Sequence, residues 1–283
     1  MHHANHFYGH AHIMARYAGL DTVPRIFGYL QHGWNTWDGF AVGTPFAPNY
    51  PKFVWSEAVA RRGWATGLRR YAVVGSPWSY LLLMEEQEAW EASNPHREGT
   101  IVYPFHGWEG QKLRGSHSDY LAEVREVEGD VPLTVCLYFD EYRDKKIREA
   151  YENEGVRVIC HGQRGHSYRN TEPLFLYRQL TELRRHKRVV SNRMGSALFY
   201  GASTGADVGI YGDPMVLEGD HAILGGMAKQ QRLWPEMHQT FVPSDIARAY
   251  ATTELGIDVR LSPPEIRRLF KWKLPHEADS ANG

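Results

Sequence analysis

Between residues 133 and 212, strand-prone and helix-prone segments alternate with almost nothing to spare between them. LTVCLYF (133–139) is apolar and β-branched, and DEYRDKKIREAYENEG (140–155) has helical charge spacing and ends on glycine. VRVICHG (156–162) predicts a second strand, and EPLFLYRQLTELRRHK (172–187) sets apolar residues at 174, 176, 180 and 183, a helical face. RVVSN (188–192), GSALFYGAS (195–203) and ADVGIYG (206–212) continue as strand, short helix and strand. Tight hairpins cannot join strands that helices separate, so the pattern requires parallel strands with helices over both faces. It predicts a Rossmann-like unit.

The first 130 residues repeat the alternation more loosely. IFGYLQHG (26–33), YAVVG (71–75) and TIVYPFHG (100–107) predict strands, and helices are expected over 5–18, 55–66, 76–91 and 117–127. Ser76 and Pro77 supply an N-cap and a first-turn proline. The polar stretch EVEGDVP (126–132) marks the expected boundary between domains 1–129 and 130–283. Helix signals return at 244–256 and 262–272, the latter opened by a capping box from Ser262 to Glu265. A chain of 283 residues carries enough apolar material for two cores. The expected architecture is α/β, two Rossmann-like domains facing across a cleft, with the C-terminal helix packing back across the seam.

Three of the predicted strands end in His-Gly, at His32, His106 and His161. Ligands of open α/β sheets bind beyond the C-terminal ends of the strands, so these imidazoles are expected at the mouths of their sheets. The glycine after each lets the backbone turn sharply and a ligand approach closely.

The strongest motif is VVSNRMGSALFYGASTGADVGIYGD (189–213). A strand stops at Ser191, and a helix begins near Gly195 and Ser196. The unsatisfied N–H groups of a first helical turn, joined by the Ser196 and Ser191 hydroxyls and the Arg193 charge, make a site for a diphosphate or nucleoside monophosphate. A glycine- and serine-capped helix without a ligand is the plain alternative. HGQRGHSYRN (161–170) adds His161, Arg164 and Arg169 as phosphate contacts from a second direction, or as a solvated basic loop. Glu218 is placed to accept the hydroxyls of a ribose, or is a surface acid.

His32, a neutral imidazole near pH 7, suits removal of a proton from an attacking hydroxyl. Asp38 and Glu109 are carboxylates close enough in sequence to orient the histidines or replace them as base. Trp34 and His106 are expected on the acceptor side, and Trp37, Trp78 and Trp108 are further stacking walls or core residues.

The 32 basic and 33 acidic residues leave a formal charge of −1, which gives no electrostatic case for nucleic acid. Cys136 and Cys160 predict free thiols in a reducing compartment, with neither a disulfide framework nor a zinc site. The N-terminus lacks the basic-then-apolar pattern of a signal peptide, and no apolar run is long enough for a transmembrane span. These features predict a cytoplasmic protein. His6, His10 and His12 approach metal-ligand spacing, but His12 leaves the helical face shared by the other two, and no metal or other cofactor is expected. IRRLFKWKL (266–274) can touch an anionic membrane surface or pack across the domain seam.

QHGW (31–34) together with VVSNRMGSALFYGASTGADVGIYG (189–212) resembles bacterial cell-surface polymer transferases of the GT-B fold. The likeness is to CDP-glycerol glycerophosphotransferases and capsular sialyl- and polysialyltransferases. It implies that His32 and Gly33 lie at the acceptor side. It also implies that His161 and Gly162 take the place of a phosphate-side histidine motif, often His-Pro in those families. The serine pair leading into their phosphate-holding helix maps onto Ser191 and Ser196. The expected activity is a metal-independent glycosyltransferase of polysaccharide biosynthesis, moving a sugar from a nucleotide-activated donor to a hydroxyl acceptor. The rivals are a nucleotide-sugar epimerase on the same fold, with Asp38 and Glu57 as weakly placed acids, a noncatalytic nucleotide-binding protein, and a metallohydrolase using the N-terminal histidines.

Overall fold

A computed structural model describes residues 3–40, 44, 46–107, 113–165, 171–218 and 226–274. The chain forms two compact units. The first comprises residues 1–90, 163–177 and 252–283, and the second comprises 91–162 and 178–251.

The first unit begins with a 3₁₀ turn (His3–Gly9) and helix α1 (His10–Tyr17), where one helix over 5–18 was expected. Phe7 is extended and Tyr8 is left-handed (φ 57°), because the Tyr8 amide leaves the helix to bond the Arg164 carbonyl at 2.9 Å. Gly9 has φ +77°, and a Cβ there would lie 2.4 Å from the Pro173 carbonyl oxygen, so only glycine fits. Strands β1 (Tyr29–Leu30), β2 (Lys52–Val54) and β3 (Tyr71–Val73) pair in parallel in that order. The ladder at β1 is shorter than predicted. The Asn5 side chain brackets it, donating to Gly28 O at 3.0 Å and accepting from Leu30 N at 2.8 Å. β2 was not predicted at all.

Helix α2 (Glu57–Ala65) is capped by Ser56 and packs Val59 and Ala60 against Val54 and Tyr29. Helix α3 (Pro77–Met84) starts at Ser76–Pro77 as the sequence predicts, with the Ser76 hydroxyl accepting from Ser79 N at 3.1 Å. A short helix α4 (Gln87–Ala92) follows.

The second unit is built on strands β4 (Thr100–Val102), β6 (Leu133–Cys136), β7 (Arg157–Ile159), β8 (Arg188–Ser191) and β9 (Asp207–Ile210). All pair in parallel, in the order β7-β6-β4-β8-β9. A separate antiparallel ribbon pairs β5 (Leu113–Arg114) with β10 (Val216–Leu217).

Helices α5 (His117–Glu128) and α7 (Lys145–Glu152) cover one face, where Tyr120, Val124 and Tyr151 pack on Val102, Val135 and Val190. A one-turn α6 (Phe139–Arg143) precedes α7. The predicted helix over 140–155 breaks because Asp144 turns its carboxylate onto the Lys146 amide at 2.9 Å as a cap. Helices α8 (Phe175–Arg185) and α9 (Ser196–Ser203) lie against the alternate side chains. His186, just past α8, bonds Thr134 at 2.9 Å, and Gly201 of α9 sits so close to Val189 that a Cβ would meet it at 2.7 Å.

The stretch 126–132, expected as a domain boundary at 129/130, lies inside the second unit. β4 bonds β6 directly, Thr100 beside Leu133, so the chain cannot divide between them. The chain instead passes from one unit to the other within α4, after Gly162, within α8 and within the helix at Ser244–Leu255.

After α10 (Gly226–Leu233), helix α11 (Ser244–Leu255) carries the chain back to the first unit, where α12 (Pro263–Phe270) ends it. The predicted capping box is present, with the Glu265 carboxylate accepting both N–H and O–H of Ser262 at 2.8 and 2.7 Å. Ile266, Phe270 and Trp272 are buried, Phe270 against Phe53 at 4.7 Å, and Trp272 donates to Arg25 O. Ile266, Phe270 and Trp272 are therefore committed to the core of the first unit, while Leu269 and Leu274 are half-buried.

Cys136 and Cys160 are free thiols, and burial raises the pKa of both. Among the described residues no helix is long and apolar enough to cross a membrane.

Candidate functional site

The strand order of the second unit reverses beside β4: the chain moves outward through β6 and β7, then returns to the other side at β8 and β9. Beyond the C-terminal ends of such a pair, the two following loops diverge and leave a crevice. In this protein those loops are Tyr103–Gly107 after β4 and Asn192–Gly195 after β8.

Both loops are held by specific bonds. Asn192 is fully buried; its side-chain oxygen accepts the Phe105 amide at 2.7 Å and its nitrogen donates to Asp213 O at 2.7 Å. The Ser191 hydroxyl accepts the Arg193 amide at 3.3 Å. Gln230 of α10 clamps Met194 twice, accepting its N–H at 3.0 Å and donating to its carbonyl at 3.2 Å. These bonds fix the path of the chain into α9.

Gly195 is the N-cap of α9, with extended backbone (φ −160°, ψ 175°) and no side chain to cap the first turn. Among the described residues, no heavy atom beyond its chain neighbours and its own helix backbone lies within 4 Å of a Cβ built on Gly195. An eight-residue helix thus starts beside open space at Gly195, with no side-chain cap from its N-cap residue at its positive dipole end. Ser196 is the first residue of that turn and is partly exposed.

The structure gives Arg193 a different job from the expected phosphate contact. Its Nε donates to Pro214 O at 2.6 Å, an Nη donates to Met215 O, and the guanidinium lies 4.0 Å from the centre of the Phe105 ring. Arg193 is spent tying the segment after β9 to the β4 loop.

His161 is likewise buried. Its Nε2 bonds the Tyr103 hydroxyl at 2.9 Å, and burial lowers its pKa to about 4 against the raising effect of Glu182, so the ring is neutral at pH 7. It offers no positive charge to a phosphate. Arg164, predicted beside it, belongs to the first unit. Glu218 lies just past β10 and pairs with Arg114 at 3.4 Å, an exposed contact on the ribbon.

His106 was expected in an N-terminal acceptor domain. It belongs instead to the second unit and leaves β4 at the same sheet edge as Gly195. Its Nδ1 meets Gly107 O at 2.8 Å and its ring stacks on Tyr138 at 4.5 Å and 10°.

Sequence reasoning missed Glu141. Its carboxyl receives the backbone amides of Gly107 and Tyr138, yet burial, reinforced by nearby Asp140, pushes its pKa up to about 8. It therefore holds its proton at pH 7. The signal was an acidic pair, Asp140–Glu141, directly after a strand end, which reads equally well as an exposed first helical turn.

In the first unit, His32 packs edge-on against Phe7 and Tyr8 at 4.8 and 5.5 Å, and Arg164 lies over Phe7 at 4.7 Å. Asp38 is buried, 2.7 Å from the Tyr71 hydroxyl, and also accepts from Phe40 N at 3.3 Å; burial, with the Asp38 contact second, raises the Tyr71 pKa. These contacts make Asp38 a brace for β3. Trp34 is buried too, its indole N–H bonded to Glu254 at 2.9 Å, and Trp78 is a core residue. Trp108, Glu109 and Arg169 lie outside the described residues.

His10 is sealed in the core, where burial lowers its pKa to about 3, and His6 and His12 face each other edge-on at 5.7 Å. Among the described residues no three His, Cys, Asp or Glu side chains gather as a metal site.

No protein-family model matches the chain, and no curated protein matches it in sequence. Several solved structures resemble it distantly. The UDP-GlcNAc 2-epimerase of Neisseria meningitidis bound to UDP-GlcNAc aligns over 78% of this chain and 59% of that one, at 12% identity and a TM-score of 0.39. The wall teichoic acid polymerase TagF aligns over 87% and 61%, at 14% identity and a TM-score of 0.38. S. aureus MnaA with UDP aligns over 75% and 54%, at 9% identity and a TM-score of 0.37. The chain thus spans between 54% and 61% of the length of these proteins.

Proposed function

We propose that the protein binds a nucleotide-activated sugar on its second unit and transfers the sugar to a hydroxyl acceptor without a metal. One observation carries the reading: the first turn of α9 has no side-chain cap from its N-cap residue and opens beside free space at Gly195, where the strand order reverses. The amides at Gly195–Ser196 and the Ser196 hydroxyl would hold the diphosphate. The helix dipole would stabilise the charge that develops as the nucleotide leaves. His106, across the same switch point, is proposed as a further contact, and Glu218 as the ribose acceptor. Ser191, Arg193 and His161 act behind these groups by fixing the loops. The transferase resemblance implies that His32 is the base that takes the acceptor's proton.

The test is thermal stability against UDP, GDP, CDP, CMP, ADP and TDP. A ligand at about a hundredfold over its Kd stabilises the fold by about 2.7 kcal/mol. One nucleotide is expected to do so in the native chain and to fail with Gly195→Asp. That variant places a carboxylate on the helix start in backbone that any residue adopts, so its fold is retained. Indifference to every nucleotide overturns the proposal. Isomerisation of the donor with no acceptor present would move the assignment to an epimerase.

A further inference from the structure

Of the large apolar side chains exposed in the first unit, Leu83 and Leu174 stand apart, whereas Trp64 and Leu68 lie at the end of α2 and the Trp37 backbone is bonded to that helix. Trp64, Leu68 and Trp37 are 42%, 40% and 42% exposed. Trp64 and Leu68 belong to the segment RRGWATGLRR (61–70), which contains four arginines and no acid. The Trp37 backbone is tied to the same helix, its carbonyl accepting from Arg62 Nε at 2.9 Å.

The segment is a formed surface. Helix α2 ends at Ala65, and the chain turns back through Gly67 (φ +83°), whose side opens on empty space. Leu68 N bonds Gly63 O at 3.0 Å and Gly67 N bonds Trp64 O at 3.0 Å, the crossed pair of a left-handed helix cap. Arg69 closes the end by donating to the Trp64 and Leu68 carbonyls at 3.1 and 2.8 Å. Beneath it, the Tyr71 ring presses so closely on Gly63 that a Cβ there would lie 2.1 Å from its hydroxyl oxygen. Trp64 and Leu68 are therefore presented outward on a braced turn.

The charges divide in two. Arg62 is neutralised by Glu254, whereas Arg61, Arg69 and Arg70 are exposed, and the bonds of Arg69 and Arg70 go to carbonyl and amide oxygens that leave their charge uncompensated. Exposed tryptophan and leucine ringed by uncompensated arginine suits the boundary between headgroups and acyl chains, where indole rings settle and cations meet anionic lipid.

We infer that the turn at Trp64–Arg70, with Arg61 and Trp37 beside it, docks the protein on an anionic lipid bilayer. The inference stands apart from the nucleotide reading, and the test leaves that reading untouched. The full chain is sedimented with vesicles of phosphatidylcholine alone and of phosphatidylcholine mixed with phosphatidylglycerol. Binding is expected only to the anionic vesicles and is expected to weaken with salt. Each of Arg61→Gln and Arg70→Gln should weaken it about fivefold. Trp64→Ser with Leu68→Ser should weaken it at least as much, and both side chains are exposed enough to be changed without loss of fold. Failure of the native chain to bind anionic vesicles overturns the inference. So does unchanged binding by the Trp64→Ser, Leu68→Ser variant, which would mark a purely electrostatic site for a soluble polyanion.

Discussion

Arg164 Nη1 lies 3.4 Å from His32 Nε2, and both residues belong to the first unit. A guanidinium can only donate, so the neutral imidazole presents its lone pair at Nε2 and carries its proton at Nδ1. The one lone pair of the neutral ring is thus the one that Arg164 engages.

Nitrogen NMR of the labelled histidine is expected to show one neutral tautomer in the native protein. In Arg164→Met the two tautomers should mix. Mixed tautomers in the native chain would show that Arg164 does not select the ring state.

Glu254 accepts three side-chain hydrogen bonds within the first unit. Arg62 chelates it at 2.8 and 2.7 Å, and the Trp34 indole adds a third bond at 2.9 Å. Its side chain is 3% exposed. Arg62→Met would leave that charge buried and should destabilise the protein by about 3–5 kcal/mol in urea unfolding. Adding Glu254→Leu should recover much of the loss, because an apolar pair removes the stranded charge.

His161 and His10 give stability an acid limb. In the unfolded chain each takes up a proton below about 6.5, whereas in the folded protein their pKa values are lowered to about 4 and about 3. The unfolded state therefore binds more protons as pH falls through this window. Their contribution is complete above 6.5 and is lost progressively towards 4 and below, by roughly 1.4 kcal/mol per group per pH unit at most. Urea midpoints measured across this range should fall with pH, and His161→Gln should flatten the slope.

Glu141 gives an opposite limb. Its folded pKa is raised to about 8 from 4.5, so between those values the unfolded chain releases a proton that the folded protein keeps. Stability from this group declines as pH rises through that window. Glu141→Gln stays neutral, and should be about 4 kcal/mol more stable than the native protein at pH 8. Below pH 4.5 the two should converge, and urea unfolding at both pH values measures the difference.

The alternation over 133–212 made the second sheet legible, because strands buried on both faces are continuous apolar runs that helices interrupt. Three-residue β2 was too short to register, and the break at Tyr8 depends on Arg164, far away in sequence. The boundary at 129/130 was misplaced because a polar segment between α5 and β6 looks like a linker, and the sequence does not reveal that β4 lies beside β6.

The start of α9 was readable from Gly195–Ser196, since strand, loop and helix follow each other locally. The duties of Arg193 and His161 were not. They are set by Pro214, Met215 and Tyr103, partners that only the folded chain delivers. Glu141 was hidden for the same reason, as the loop that buries it follows a different strand.

The backbone passes between units after Trp90, Gly162, Tyr177 and Ala251. A single proteolytic nick or gene split between Trp90 and Ala251 therefore parts β1–β3 from α12, which completes the same unit. A cut at 129/130 would strand β4 from both neighbours that flank it. Neither unit is one uninterrupted stretch of the gene, so neither can be excised by a single pair of cuts without taking part of the other.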